Sequence, residues 1–265
     1  MSRHVTYWVA LALVGTLFAT PAGAQEAEKP TPRCPRAGVA PKIYAVGSST
    51  MAGLAFVMRK SLKKRGARFE SGAKPSTGLA RPDFFDWPAQ IPKIVESFDP
   101  DVFIVSLGTN DGQAMRLGDR SWVRATEDRW SEIYRERVRK MLSGMNAGRA
   151  RRIIWIGPNA LGRRKAGSRR DRINAMMRDE IEKFEGDAHF IDLYHLATDD
   201  AGRIKRFVTR KSDGRHFLAR AKDGVHLSLP GLRYILAERV YWHLKDCFSP
   251  SDEPAAAQGA KQAAP

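Results

Sequence analysis

Cysteine is scarce in this chain of 265 residues: Cys34 and Cys247 are the two, too few for a framework of thiols. None of the six histidines stands at metal-ligand spacing from a cysteine or from a second histidine. No glycine-rich phosphate loop occurs. The residues therefore call for no cofactor and no metal. Acidic side chains are few, 29 against 45 Lys and Arg, which leaves a formal net charge of +16. Long apolar runs are missing beyond Trp8–Phe18, so nothing further along could cross a membrane. There is also no internal repeat and no second linker inside the main body.

What is present begins with a leader. Arg3 and His4 precede the apolar run, and Ala22-Gly23-Ala24 follows it as a small-x-small cleavage site. Residues 1–24 read as a secretory signal, with the mature chain starting near Gln25. An uncleaved anchor is the alternative, for which the apolar core is short. Export places the protein in the periplasm or outside the cell. In an oxidising compartment the isolated pair Cys34 and Cys247 is expected to form a disulfide clipping the two ends of the domain, against two unrelated buried thiols. The mature chain is strongly basic. Its densest cluster (Arg163, Arg164, Lys165, Arg169, Arg170) sits in a loop entering a helix, without a nucleic-acid motif. Anionic envelope polymers or lipid headgroups are favoured as partners over nucleic acid, beside a merely solubilising surface.

Residues 25–37 are rich in Pro, Ala and charge and read as a linker; residues 249–265 read as a disordered tail. One domain, 38–248, lies between them. Within it, strand patterns at Lys42–Val46, Ala67–Glu70, Val102–Leu107, Ile153–Ile156 and His189–Leu193 alternate with helical patterns. Those helices run to about Lys64, from Pro88 to Phe98, from Asp128 to Met145, from Arg169 to Phe184, and through Leu232–Leu244. Residues 194–222 read as irregular. The alternation predicts an α/β fold, a three-layer α/β/α sandwich on a mostly parallel five-stranded sheet.

The stretch Ala45-Val46-Gly47-Ser48-Ser49-Thr50 puts hydroxyls where the first strand ends and a helix begins. In an open α/β sheet ligands bind along that edge, and the helix N-terminus favours a developing negative charge. Ser49 is the candidate nucleophile; simple helix capping by the three hydroxyls is the plainer alternative. Three more stretches fall on the same edge: Ser76 through Trp87 after the second strand, Gly108-Thr109-Asn110-Asp111 after the third, and Asp223-Gly224-Val225-His226 before the last helix.

Taken together, these blocks resemble the SGNH hydrolases, also called the GDSL esterase/lipase family. The first block carries Ser49 in the nucleophile place, Gly78 matches the second, Asn110 the third, and Asp223 with His226 the last. The stretch Ser76-Thr77-Gly78-Leu79-Ala80-Arg81-Pro82-Asp83-Phe84-Phe85-Asp86-Trp87 looks like an exported bacterial subgroup of unknown function. Two positions depart from the family pattern: Ser48 stands where Asp is usual, and Thr50 where Leu is usual. The resemblance implies a triad of Ser49, His226 and Asp223, with oxyanion donors from the backbone of Ser49 and Gly78 and the amide of Asn110. Chemically, a serine needs a base to take its proton, and the base needs a carboxylate to hold its tautomer. Asp213-Gly214-Arg215-His216 repeats the Asp-Gly-x-His spacing, so spacing alone does not select the second copy. Trp87, Gln113 and Asp192 are candidates to line the site. The expected function is that of an exported serine esterase acting on small acyl esters, such as acetyl groups on an envelope glycan or peptidoglycan. An O-acyltransferase with the same triad, or a non-catalytic binder of anionic polymer, would fit the same residues.

Overall fold

A computed structural model describes Cys34 and residues 39–147, 151–162 and 167–248. The expected leader, the tail and the linker other than Cys34 lie outside the described residues, as do Arg163, Arg164 and Lys165. Five strands form the central sheet: β1 (Lys42–Gly47), β2 (Arg68–Ser71), β3 (Val102–Ser106), β6 (Arg152–Ile156) and β7 (Ala188–Ile191). Their spatial order is β2-β1-β3-β6-β7, and every pairing is parallel. The fold is an α/β sandwich, as the alternation predicts.

Strand side chains point alternately to opposite faces, and both faces of this sheet are apolar. Ile43, Ala45, Val102, Ile104, Ile154 and Ile156 face one core. That core is closed by α1 (Ser49–Lys64), by a π-helical stretch Leu232–Ala237 and by α7 (Glu238–Leu244). Val46, Phe103, Val105, Ile153 and Trp155 face the other core, under α2 (Trp87–Phe98), α3 (Asp128–Asn146) and α4 (Arg169–Glu182). β3 and β6 are buried at every position, the pattern of strands covered on both sides.

The strand order reverses at β1: the chain passes from β1 to β2 on one side, then returns to β3 on the other. The carboxyl ends of β1 and β3 therefore flank the crevice in which open α/β sheets bind ligands. Gly47 makes this junction. Its φ is +148°, and a Cβ there would collide with the carbonyl oxygen of Ser106. That close approach lets the Ser48 amide donate to Ser106 O at 3.0 Å.

Three local expectations need correction. The fifth strand stops at Ile191, because the Asp192 carboxylate accepts from the His195 amide at 2.9 Å and caps the short helix α5 (Leu193–Leu196). Residues 194–222 are not all irregular. They contain a hairpin of β8 (Phe207–Thr209) and β9 (His216–Leu218), turned through Gly214 at φ +71°. A smaller hairpin, β4 (Met115–Arg116) with β5 (Trp122–Val123), occupies the polar segment after β3. Finally, the last helix is not uniform. It starts as α6 (Leu229–Gly231), widens to the π-helical stretch, and returns to α geometry in α7.

Candidate active site

Ser49 is the first residue of α1, directly after the Gly47–Ser48 turn. Its Oγ lies 2.8 Å from His226 Nε2, and His226 Nδ1 lies 2.8 Å from Asp223 Oδ2. A carboxylate accepts only, so Nδ1 carries the imidazole proton and Nε2 is left to accept from the Ser49 hydroxyl. The three side chains thus form one directional chain across 177 residues of sequence. Thr50 and Ser48 are buried beside Ser49 and take no part in it. Ser48 contributes through its main chain, and its side chain makes no cap bond to the helix.

The His226 loop is folded on itself and tied from behind. Asp223 Oδ1 accepts from the amides of Val225 at 2.8 Å and His226 at 3.0 Å, a local turn that Gly224 permits at φ +68°. The hydrogen bond from the His226 ring, with these two backbone donors, holds the Asp223 carboxyl down to about 2. The Val225 carbonyl accepts from Asn159 Nδ2 and from Arg220, both at 2.9 Å. Arg220 also reaches the Ala160 carbonyl at 2.7 Å, and the Asn159 amide donates to Thr109 Oγ1 at 2.9 Å. The loop before α6 is in this way fastened to the ends of β6 and β3. The side chains of Asp223 and His226 remain 49% and 40% exposed, so the acid–base pair is open to an incoming ligand and to water.

Opposite Ser49's strand lie the two remaining predicted elements. Asn110 Nδ2 donates to the Thr77 carbonyl at 3.0 Å, which brings Asn110 against the residue before Gly78. Gly78 is buried, and a Cβ there would run into the Asp111 carboxylate. Asp111, 0% exposed, accepts from the Ala80 amide at 2.9 Å and from the Tyr134 hydroxyl at 2.8 Å. Burial pushes its carboxyl above the usual range, partly offset by those donors, by the Leu79 amide and by Arg137. Arg137 Nε in turn donates to the Leu79 carbonyl at 2.7 Å. The Gly78 loop is thus shaped by a buried acid, a tyrosine and an arginine, the last two from α3. Asp111 was visible only as the neighbour of Asn110. Nothing in a single sequence marks Tyr134 or Arg137, whose α3 spacing reads as a helix face.

The candidates for lining the site fare differently. Trp87 is 1% exposed and belongs to the core beneath the Gly78 loop, where its Nε1 donates to Thr77 Oγ1 at 3.0 Å. It supports the loop and does not line a cleft. Asp192 is also not brought to Ser49. It is engaged by Asn174 at 3.0 Å, by His195 and by Arg178, and those bonds outweigh burial and hold its carboxyl below the usual range. Gln113 stays near the site: its Nε2 donates to the Asn110 carbonyl at 2.7 Å, steadying the Asn110 turn. The competing Asp213 and His216 lie on the β8–β9 hairpin. There Asp213 pairs with Arg210, and His216 Nδ1 meets Thr209 Oγ1 at 2.9 Å, so neither joins the Ser49 chain. Cys34 and Cys247 are joined, with Cα atoms 4.7 Å apart. Among the described residues, no helix is long and apolar enough to cross a membrane.

Several solved structures are similar. The acetyl xylan esterase AlAXEase aligns over 77% of this chain and 99% of its own, at 19% identity and a TM-score of 0.49. An acetylxylan esterase from Geobacillus stearothermophilus aligns over 78% and 94%, at 16% identity and 0.46. The periplasmic domain of a lipopolysaccharide acetyltransferase from Salmonella ser. Paratyphi A aligns over 77% and 84%, at 16% identity and 0.46. No curated protein matches the chain. A family described as "Protein of unknown function (DUF459)" matches residues 42–241, from the first strand into the last helix and across every block discussed above. The chain belongs to this DUF459 family.

Proposed function

We propose that the protein is an exported serine esterase that hydrolyses small acyl esters, such as acetyl groups on an envelope glycan or peptidoglycan. The observation that carries this reading is the continuous chain from Ser49 Oγ through His226 to Asp223, with both links at 2.8 Å. In the proposed reaction Ser49 Oγ bonds to the acyl carbon while its proton passes to His226 Nε2. The carbonyl electron pair moves onto oxygen. Donors for that oxyanion are the Ser49 amide, one of the unsatisfied N–H groups at the start of α1, together with the Gly78 amide and the Asn110 side chain. When the intermediate collapses, the alcohol leaves and takes the proton from Nε2. Water then attacks the acyl-enzyme by the same steps, which release the acid and restore the serine. Asp223 stays ionised and keeps the imidazole proton on Nδ1. Its lowered pKa suits this role, because it keeps the carboxylate charged at neutral pH.

The exposure of His226 and Asp223 leaves the acyl-enzyme open to water, the acceptor that hydrolysis requires. Acetate release from a glycan without added acceptor supports hydrolysis; turnover only with an acceptor supports transfer. A fluorophosphonate probe tests the nucleophile. One covalent adduct is expected on Ser49, absent in Ser49→Ala and His226→Ala and kept in His216→Ala. Labelling that persists in Ser49→Ala, or disappears in a folded His216→Ala protein, overturns the assignment.

A further inference from the structure

Beside Asn110 a cavity of about 250 Å³ opens at the carboxyl end of β3, lined by Gly108, Thr109, Gly112, Arg169, Arg170 and Ile173. β1, which leads to Ser49, is the neighbouring strand, and adjacent strands lie about 4.8 Å apart. One substrate can therefore reach both the nucleophile and this cavity.

The fully buried arginines are saturated: Arg152 pairs with Asp187 and Asp246, and Arg151 bonds Asp99 and several carbonyls. Arg65, Arg170 and Arg220 each keep a buried Nε without a hydrogen-bond partner. Arg65 lies over the rings of Tyr241 and Phe248, and Arg220 donates to the Ala160 and Val225 carbonyls. Among the described residues, Arg170 has neither kind of contact, and no acid pairs with it. Burial pushes its guanidinium below the ordinary value, with the nearby Tyr194 hydroxyl opposing the shift. A half-buried guanidinium without a counter-charge is costly unless something charged completes it. Arg169, the first residue of α4, is anchored beside it by a bond to the Gly112 carbonyl. The planar fork of arginine matches carboxylate and phosphate oxygens two at a time.

We propose that this cavity is a subsite for an anionic group of the substrate, a carboxylate or phosphate carried close to the scissile ester, held by Arg170 and Arg169. The proposal rests on the esterase reading and adds a substrate class to it: esters of acidic glycans or of dicarboxylic acyl groups, in preference to neutral ones.

Three esters separate the sources of charge: neutral 4-nitrophenyl acetate, 4-nitrophenyl hemisuccinate with the carboxylate on the acyl side, and acetylated galacturonate with it on the alcohol side. Wild type is expected to favour at least one of the charged esters in kcat/KM. On that ester Arg170→Gln is expected to lose about ten- to a hundredfold more than on the neutral acetate, the range for a hydrogen bond to a charged group. Arg170→Lys, which keeps the charge, recovers part of the difference. Equal losses on charged and neutral esters, or no preference in wild type, overturn the subsite while leaving the esterase reading intact. Calorimetry of succinate, galacturonate and inorganic phosphate with Ser49→Ala protein reads the subsite without turnover. Binding that is weakened by adding Arg170→Gln, but not abolished by adding Arg170→Lys, supports it; no binding by any of the three anions overturns it. Anion binding that depends on Arg170 in a protein that turns over no ester would instead sink the esterase reading alone.

Discussion

Asp111 shows how much a single buried side chain can organise. It sits under the Gly78 loop with no exposed surface, and its two oxygens satisfy the Ala80 amide and the Tyr134 hydroxyl. Replacing it with Ala leaves both donors without their acceptor in a dry environment. Asp111→Ala is expected to destabilise the fold by about 3 kcal/mol or more, measured by urea unfolding. Asp111→Asn keeps one acceptor and is expected to cost less. The residues proposed for hydrolysis in the four blocks could be picked from the sequence because such chemistry draws on few residue types at the ends of strands. Their supports could not. Trp87 looked like a lining residue by its place beside Gly78, yet a large ring next to a tight loop lowers its free energy most by filling the core below it. Asp192 looked like an edge carboxylate and is a helix cap, because the strand before it ends two residues earlier than its apolar run suggests.

Among the elements, the strands were legible and the last helix only in part. β3 and β6 announce themselves as unbroken apolar runs, since both of their faces are covered. The π-helical stretch is invisible to a 3.6-residue period, because Leu232, Ile235 and Leu236 stay buried either way. The β8–β9 hairpin escapes notice because its strands are three residues long and half exposed. Downstream of the π stretch, α7 carries His243, whose ring lies 4.7 Å from that of His189. Burial, followed by the neighbouring His189 and Arg152, lowers the pKa of His243 from the ordinary 6.5 to about 4. The folded state thus keeps this ring neutral while the unfolded chain protonates it. Between pH 6.5 and 4 the unfolded state binds more protons, and stability falls as pH falls. The melting temperature is expected to drop through that window in wild type, and the drop to be shallower in His243→Gln.

For the whole molecule, the link between Cys34 and Cys247 closes a loop with a sequence separation of 213. In the chain-entropy account such a closure stabilises by about 5 kcal/mol, with strain reducing the figure. Cys34→Ser and Cys247→Ser are each expected to lower the midpoint of urea unfolding, and dithiothreitol to lower wild type to the same value without affecting either variant. A reductant that leaves the wild-type midpoint unchanged would show that the closure adds nothing.

The same link has a second consequence, one of direction. Arg152 opens β6 at the amino end of the parallel sheet, and it holds both the His243 carbonyl and the Asp246 carboxylate. Cys247, and Cys34 through it, therefore lie at that pole, whereas Ser49, Asn110 and the loops around them occupy the carboxyl pole. The described domain thus carries its disulfide at one end and its proposed catalytic residues at the other. Anchoring the domain at the Cys34–Cys247 pole is therefore expected to leave turnover at Ser49 unchanged, measured against the free protein.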